Sequence, residues 1–219
     1  MTNVRGSELR TKRRTVITEE EFDDLCYQAD RIEDEFMRLR AKALLCLLRL
    51  TGKRRGEVNT LKLSSFKIEK RSLNVTFILE KKRKESILQK QAVKSIPLSD
   101  PFTKPILAHL DYLEKLKPKP EYFLPRVKSV FGNNAIVSDA HISGRQVFNV
   151  IRGLSENVWP HLFRETVASD IIKQDNSIIS AFKVMQRLDL EDYATGFNYI
   201  RRYAKDVIQR EKRMLHGRH

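Results

Sequence analysis

Thr51-Gly52-Lys53-Arg54-Arg55-Gly56-Glu57-Val58 closes one helix and opens another. Gly52 supplies the left-handed residue that ends an apolar helix, and Arg54 to Leu61 reads as a short helix after it. The stretch is not a nucleotide-binding loop: Thr51-Gly52-Lys53-Arg54 lacks the further glycines and the GK[ST] ending that would cradle phosphates. It carries two adjacent arginines with Glu57 three residues beyond Arg54.

Upstream the pattern is helical. Thr18-Glu19-Glu20-Glu21 has the form of a capping box, with Phe22, Leu25, Cys26 and Ala29 at helical spacing. A second helix is predicted from about Asp34 to Leu50, with Phe36, Leu39, Ala43, Leu47 and Leu50 on one face. Downstream the period changes. Leu73, Val75, Phe77 and Leu79 alternate with polar residues, and Val93 to Leu98 returns across a basic turn at 81–85. This predicts a hairpin within a three-stranded sheet that begins at Phe66–Glu69. A helix from Asp100-Pro101 to about Leu116, a linker Lys117-Pro118-Lys119-Pro120, a helix from Ser143 to Leu154 and another opened by Pro160 follow. Two or three more helices finish the chain. The expected class is mainly α with a small antiparallel β-sheet (α+β).

The chain of 219 residues holds 42 Lys+Arg against 28 Asp+Glu, a net charge of +14 that calls for a polyanionic partner. The charge is clustered. Arg5, Arg10, Lys12, Arg13 and Arg14 precede the first helix, Lys81, Lys82, Arg83, Lys84, Lys90 and Lys94 crowd the hairpin, and residues 201–219 are again basic. That clustering favours nucleic acid over a uniformly solvated surface. No apolar run approaches the ~20 residues of a membrane span, and MTNVRGSELR has no secretory pattern. Cys26 and Cys46 read as buried free thiols, which fits a cytoplasmic location, or a host cytoplasm if the source is viral. No Cys/His cluster has zinc-ligand spacing.

Three boxes share one resemblance. Thr51 to Val58, followed by Leu61, Leu63 and Phe66, resembles the motif around the first catalytic arginine of tyrosine recombinases, the phage-integrase and Xer-type family. Trp159-Pro160-His161-Leu162-Phe163-Arg164-Glu165-Thr166 resembles that family's HxxR box. Val184 to Tyr199 resembles the stretch ending in the nucleophilic tyrosine, with Thr195 four residues before Tyr199. The order, the spacing and the intervening hairpin carry the match over about residues 16–205, and an archaeal or viral source is expected. Two positions depart from the family: Asp189 and Leu190 stand where Gly-His is usual, and Glu165 stands where a His commonly follows the second arginine. One phosphate ligand is therefore missing or supplied elsewhere, with Asp192 or Arg187 as substitutes.

The resemblance implies the tyrosine recombinase catalytic-domain fold over 16–205, preceded by a flexible basic arm at 1–15. A basic tail at 206–219 follows, for which packing onto a neighbouring copy is one expected use. A short arm stands where the family usually has a helical clamp domain, as in a minimal recombinase or a truncated product. The implied activity is site-specific cleavage and rejoining of double-stranded DNA through a 3′-phosphotyrosyl intermediate. The implied assembly is a homotetramer on synapsed DNA, with no cofactor, metal, membrane or small-molecule substrate.

Attack on a phosphodiester loads negative charge onto its non-bridging oxygens, so permanently charged bidentate donors serve the transition state. Arg54 and Arg164 take those roles, with Arg55 the competitor of Arg54. His161 is a phosphate donor or proton acceptor, and Glu57 is a buttress of Arg54. Tyr199 is the nucleophile, with Tyr193 and Tyr203 its rivals, and Lys81 or Lys82 at the hairpin tip protonates the departing 5′-oxygen. Leu190 and the missing clamp also motivate a catalytically dead DNA-binding regulator. A type IB topoisomerase would share the chemistry and relax supercoils.

Overall fold

Thr18 makes the expected capping box: its hydroxyl accepts from the Glu21 N–H at 3.3 Å, and Glu21 accepts from the Thr18 N–H at 2.8 Å. This starts α1 (Glu19–Asp30), which buries Phe22, Leu25 and Ala29. The computed structural model describes residues 16–79, 91–130, 133–175, 177, 179–190 and 193–203. The arm at 1–15 and the tail at 206–219 lie outside these residues.

Asp34 accepts from the Met37 N–H at 2.9 Å and caps α2 (Glu35–Thr51). Ala43, Leu44, Leu45, Cys46, Leu47 and Leu48 are all buried, so α2 is enclosed on every side rather than on one face as its periodicity predicts. A helix enclosed in this way lies at the centre of a core. It packs on α4 (Thr103–Lys115) and α6 (Pro160–Gln174) as well as α1. Helix α4 starts at Thr103 rather than at Asp100, whose carboxylate caps the preceding turn through the Phe102 N–H at 2.9 Å.

Gly52 has φ 62° and is the left-handed cap of α2. A Cβ there would also lie 2.6 Å from Leu188 Cδ2, so only glycine lets the end of α7 (Ile179–Leu188) approach so closely. The next helix, α3, is shorter than predicted: it spans Arg55–Asn59, with Arg54 as its N-cap.

The three-stranded sheet is present, in the order β1 (Phe66–Glu69), β2 (Ser72–Ile78), β3 (Gln91–Pro97), all antiparallel. Leu73, Val75 and Phe77 face the core in strict alternation. A second hairpin, β4 (Pro125–Val130) with β5 (Asn133–His141), was not expected from the sequence. Its strands are interrupted by Lys, Ser and Asp, and most of their side chains stay exposed or half-buried, so the apolar alternation that marks a strand is weak.

Ser143 caps α5 (Gly144–Leu154) with a capping box to Gln146, and Pro160 occupies the first turn of α6 as predicted. Thr166 packs inside α6: it donates to the Leu162 carbonyl at 2.8 Å and accepts from the Ile17 N–H at 2.9 Å. Helices α7 (Ile179–Leu188) and α8 (Tyr193–Tyr203) pack on the far end of α6. They form a separate apolar cluster of Val167, Ala168, Ile172, Ala181, Val184, Leu188 and Tyr199. Both cysteines are free, Cys46 buried and Cys26 half-buried. No helix among the described residues is long and apolar enough to cross a membrane.

Candidate active site

The N-cap of α3 and the first turn of α6 face one another across a cavity of about 280 Å³. Arg54, His161 and Arg164 line it together, although more than a hundred residues separate the first from the others. Arg55, Lys53, Phe148 and Trp159 complete the wall. Arg55 is present beside Arg54 rather than in place of it. Phe148 has no signal in the sequence beyond its place on an amphipathic helix, and Trp159 only its position before the HxxR box.

Glu57 fixes Arg54. Its buried carboxylate accepts from the Arg54 backbone N–H and from the Arg54 guanidinium, each at 3.0 Å. Arg54 keeps 27% of its side chain exposed, enough to meet a ligand in the cavity. Arg164 is buried and is held differently: one terminal nitrogen donates to the Gly52 carbonyl at 2.9 Å and the other to the Leu188 carbonyl at 2.6 Å. These bonds satisfy two helix-end carbonyls with one cation. Burial, and then the neighbouring Arg54 charge, pull Arg164 below its ordinary value, while Tyr199 and Glu57 oppose them.

Tyr199 lies on α8 and is 8% exposed. Its phenol lies within electrostatic reach of Arg164. Burial raises the phenol above its ordinary value, the Glu165 carboxylate raises it further, and Arg164 acts against both. The ring stacks on Tyr203, with centroids 6.4 Å apart and planes 19° from parallel.

Glu165 gathers a second set of groups. His161 Nε2 lies 3.1 Å from its Oε1, while Arg202 donates to its Oε2 at 2.8 Å and the Tyr203 hydroxyl does so at 2.5 Å. Burial raises this carboxyl, but the hydrogen bonds from His161, Tyr203 and Arg202 prevail and hold it at about 2. The network ties α8 to α6 and orients His161, whose side chain is otherwise 62% exposed.

Lys81, Lys82 and Asp192 lie outside the described residues. Arg187, expected as one substitute for the missing phosphate ligand, does not line this cavity: it donates to the Leu50 carbonyl and lines a different groove. Leu190 packs with the Tyr199 cluster. Lys94, counted with the basic hairpin, is buried against Asp189 rather than offered to a polyanion. Of the rivals to Tyr199, Tyr203 is spent on Glu165, and the Tyr193 side chain lies outside the described set. Among the described residues, no group of three or more His, Cys, Asp or Glu could hold a metal ion.

The family model described as the phage integrase family matches residues 15–205. In three dimensions the chain is similar to XerH site-specific recombinase bound to its difH substrate in a pre-cleavage complex, with a TM-score of 0.62 at 15% identity, covering 89% of this chain and 52% of that one. It is similar to XerA recombinase, with a TM-score of 0.60 at 20% identity over 94% of this chain and 66% of that one. A lambda integrase dimer bound to a COC′ core site gives a TM-score of 0.53 at 17% identity, over 87% and 49%. At these identities the likeness speaks for the fold alone, and the chain spans about half to two thirds of the length of those proteins. No curated protein matches the chain in sequence at a significant level.

Proposed function

Because the chain belongs to the phage integrase family and has the catalytic-domain fold of tyrosine recombinases, we propose that it is a site-specific DNA recombinase that cleaves and rejoins DNA through a 3′-phosphotyrosyl intermediate at Tyr199. The observation that carries the reading is the convergence of Arg54, His161 and Arg164 on one cavity, with Tyr199 in electrostatic reach of Arg164.

In this reading the scissile phosphate enters the cavity and its non-bridging oxygens meet Arg54 and Arg164. The Tyr199 oxygen attacks phosphorus and the bond to the 5′-oxygen breaks. His161 takes the phenolic proton, and Lys81 or Lys82 gives one to the leaving 5′-oxygen. The energy of the broken bond is kept in the phosphotyrosyl ester, so rejoining needs no nucleotide. Double-stranded DNA is the substrate, and XerH and lambda integrase, which are DNA-bound in their structures, support that assignment. A homotetramer on synapsed DNA belongs to the same reading.

Leu190, packed in the apolar cluster, favours one competitor, a DNA-binding regulator without chemistry. Incubation with a pool of nicked suicide duplexes of randomised centre, followed by a denaturing gel, separates the two. The recombinase gives a covalent band, and Tyr199→Phe abolishes it. Binding without any band identifies the regulator.

A further inference from the structure

Asp189 follows the last residue of α7 and leads toward α8, and its φ is 50°. The left-handed region disfavours a residue with a side chain, so the contacts that hold Asp189 there matter. Lys53 Nζ donates to Asp189 Oδ2 at 2.6 Å and Lys94 Nζ donates to Oδ1 at 2.8 Å. Lys94 donates also to the Gln186 carbonyl at 2.9 Å. The Lys53 side chain is wholly buried and its ammonium sits 4.6 Å from the centre of the Phe77 ring.

Two buried ammonium groups thus share one carboxylate, and each comes from a different part of the site. Lys53 is the residue before Arg54. Lys94 is on β3, the strand that follows Lys81 and Lys82 in the sequence, and Phe77 is on β2. The backbone of Asp189 leads to the helix of Tyr199. We propose that Asp189 is a positioning residue that sets the Arg54 segment, the β2–β3 hairpin and the Tyr199 helix relative to one another for strand cleavage. The inference rests on the recombinase reading above. Asp189 touches no reacting atom: it acts through Lys53 and Lys94, and a small displacement of an attacking group can cost on the order of 10²-fold in rate.

Asp189→Gly tests the carboxylate apart from the turn, because glycine takes the positive φ freely. Lys53→Met/Asp189→Asn removes the wholly buried cation together with the charge that held it, while Lys94 keeps the Gln186 carbonyl and the groove it lines, which recovers stability. Wild type and both variants are compared for binding to the nicked duplex pool, for the single-turnover rate of covalent adduct formation, and for thermal unfolding. Both variants are expected to bind as wild type does and to form adduct on the order of 10²-fold more slowly. The double variant should do so while melting close to wild type.

Adduct formation at the wild-type rate by Asp189→Gly overturns the inference. So does recovery of rate together with stability in the double variant, which would make the cluster a structural support only. If Asp189→Gly does not fold, the double variant carries the test. Failure of wild type itself to form an adduct while binding DNA defeats the recombinase reading, and this inference falls with it.

Discussion

Glu57 holds Arg54 at two points, by its backbone N–H and by its guanidinium, each at 3.0 Å. One buried carboxylate therefore both starts α3 and aims the cavity-facing arginine. Glu57→Ala should cost about 1–3 kcal/mol of stability, the range for a hydrogen bond to a charged group left unmade. It should also slow cleavage while leaving DNA affinity nearly intact. Urea unfolding beside single-turnover cleavage measures both, and unchanged cleavage would show that Arg54 needs no buttress.

The two arginines should fail in different ways. Each loss removes a transition-state donor, costing about 2.7–4 kcal/mol, on the order of 10²–10³ in rate. Arg54 is partly exposed, and Glu57 keeps the backbone N–H of residue 54 when the guanidinium is lost, so Arg54→Ala should lose less stability than Arg164→Ala. Arg164 satisfies the carbonyls of Gly52 and Leu188 from a buried position, so Arg164→Ala should also lower the melting temperature. Arg164→Lys keeps the charge but cannot serve both carbonyls in the same way, and should recover stability more than rate. A full-rate Arg54→Ala with an inactive Arg55→Ala would move the role one residue along.

Much of this was legible in the sequence because it is local. Capping at Thr18, Asp34 and Ser143, the glycine cap at Gly52 and the alternation from Leu73 to Phe77 are each decided within a few residues. The order of the boxes groups Arg54, His161 and Arg164 from the sequence alone. What escaped is non-local or weakly patterned. The β4–β5 hairpin lacks clean alternation. Lys94 reads as one more cation in a basic run until Asp189, 95 residues away, is seen to pair with it. Asp189 reads as a departure from a motif until its two lysines appear. Glu165 likewise gives no sign in the sequence that it joins His161 to Arg202 and Tyr203.

That Glu165 network makes a pH prediction. Its folded carboxyl titrates at about 2, below the ordinary value of 4.5. A group depressed on folding stabilises the protein above its unfolded value, and that stabilisation drains away as pH falls toward the folded one. It amounts to about 3 kcal/mol before solvent screening, which lowers it. Wild type should therefore lose stability between about pH 4.5 and pH 2, and Glu165→Gln should lose less over the same window. Urea midpoints at the two ends check it, and parallel curves would deny Glu165 this role.

The hairpin lysines carry the proton in the proposed reaction. Lys81→Ala should be slow on ordinary DNA and recover on a substrate with a 5′-bridging phosphorothiolate, whose thiolate leaves unprotonated. Recovery confined to Lys82→Ala would move the general acid one residue along. Recovery in neither would leave both as backbone contacts.

The central claim is that Tyr199 becomes bonded to a 3′-phosphate. It lies in the register that the boxes require, beside Arg164, while its neighbour Tyr203 is bound to Glu165. The direct measurement is mass spectrometry of a trapped covalent complex after nuclease trimming. The account predicts the adduct on the peptide containing Tyr199, an unchanged adduct in Tyr203→Phe and none in Tyr199→Phe. An adduct on Tyr203 or Tyr193, or DNA binding with no adduct on any tyrosine, would contradict it.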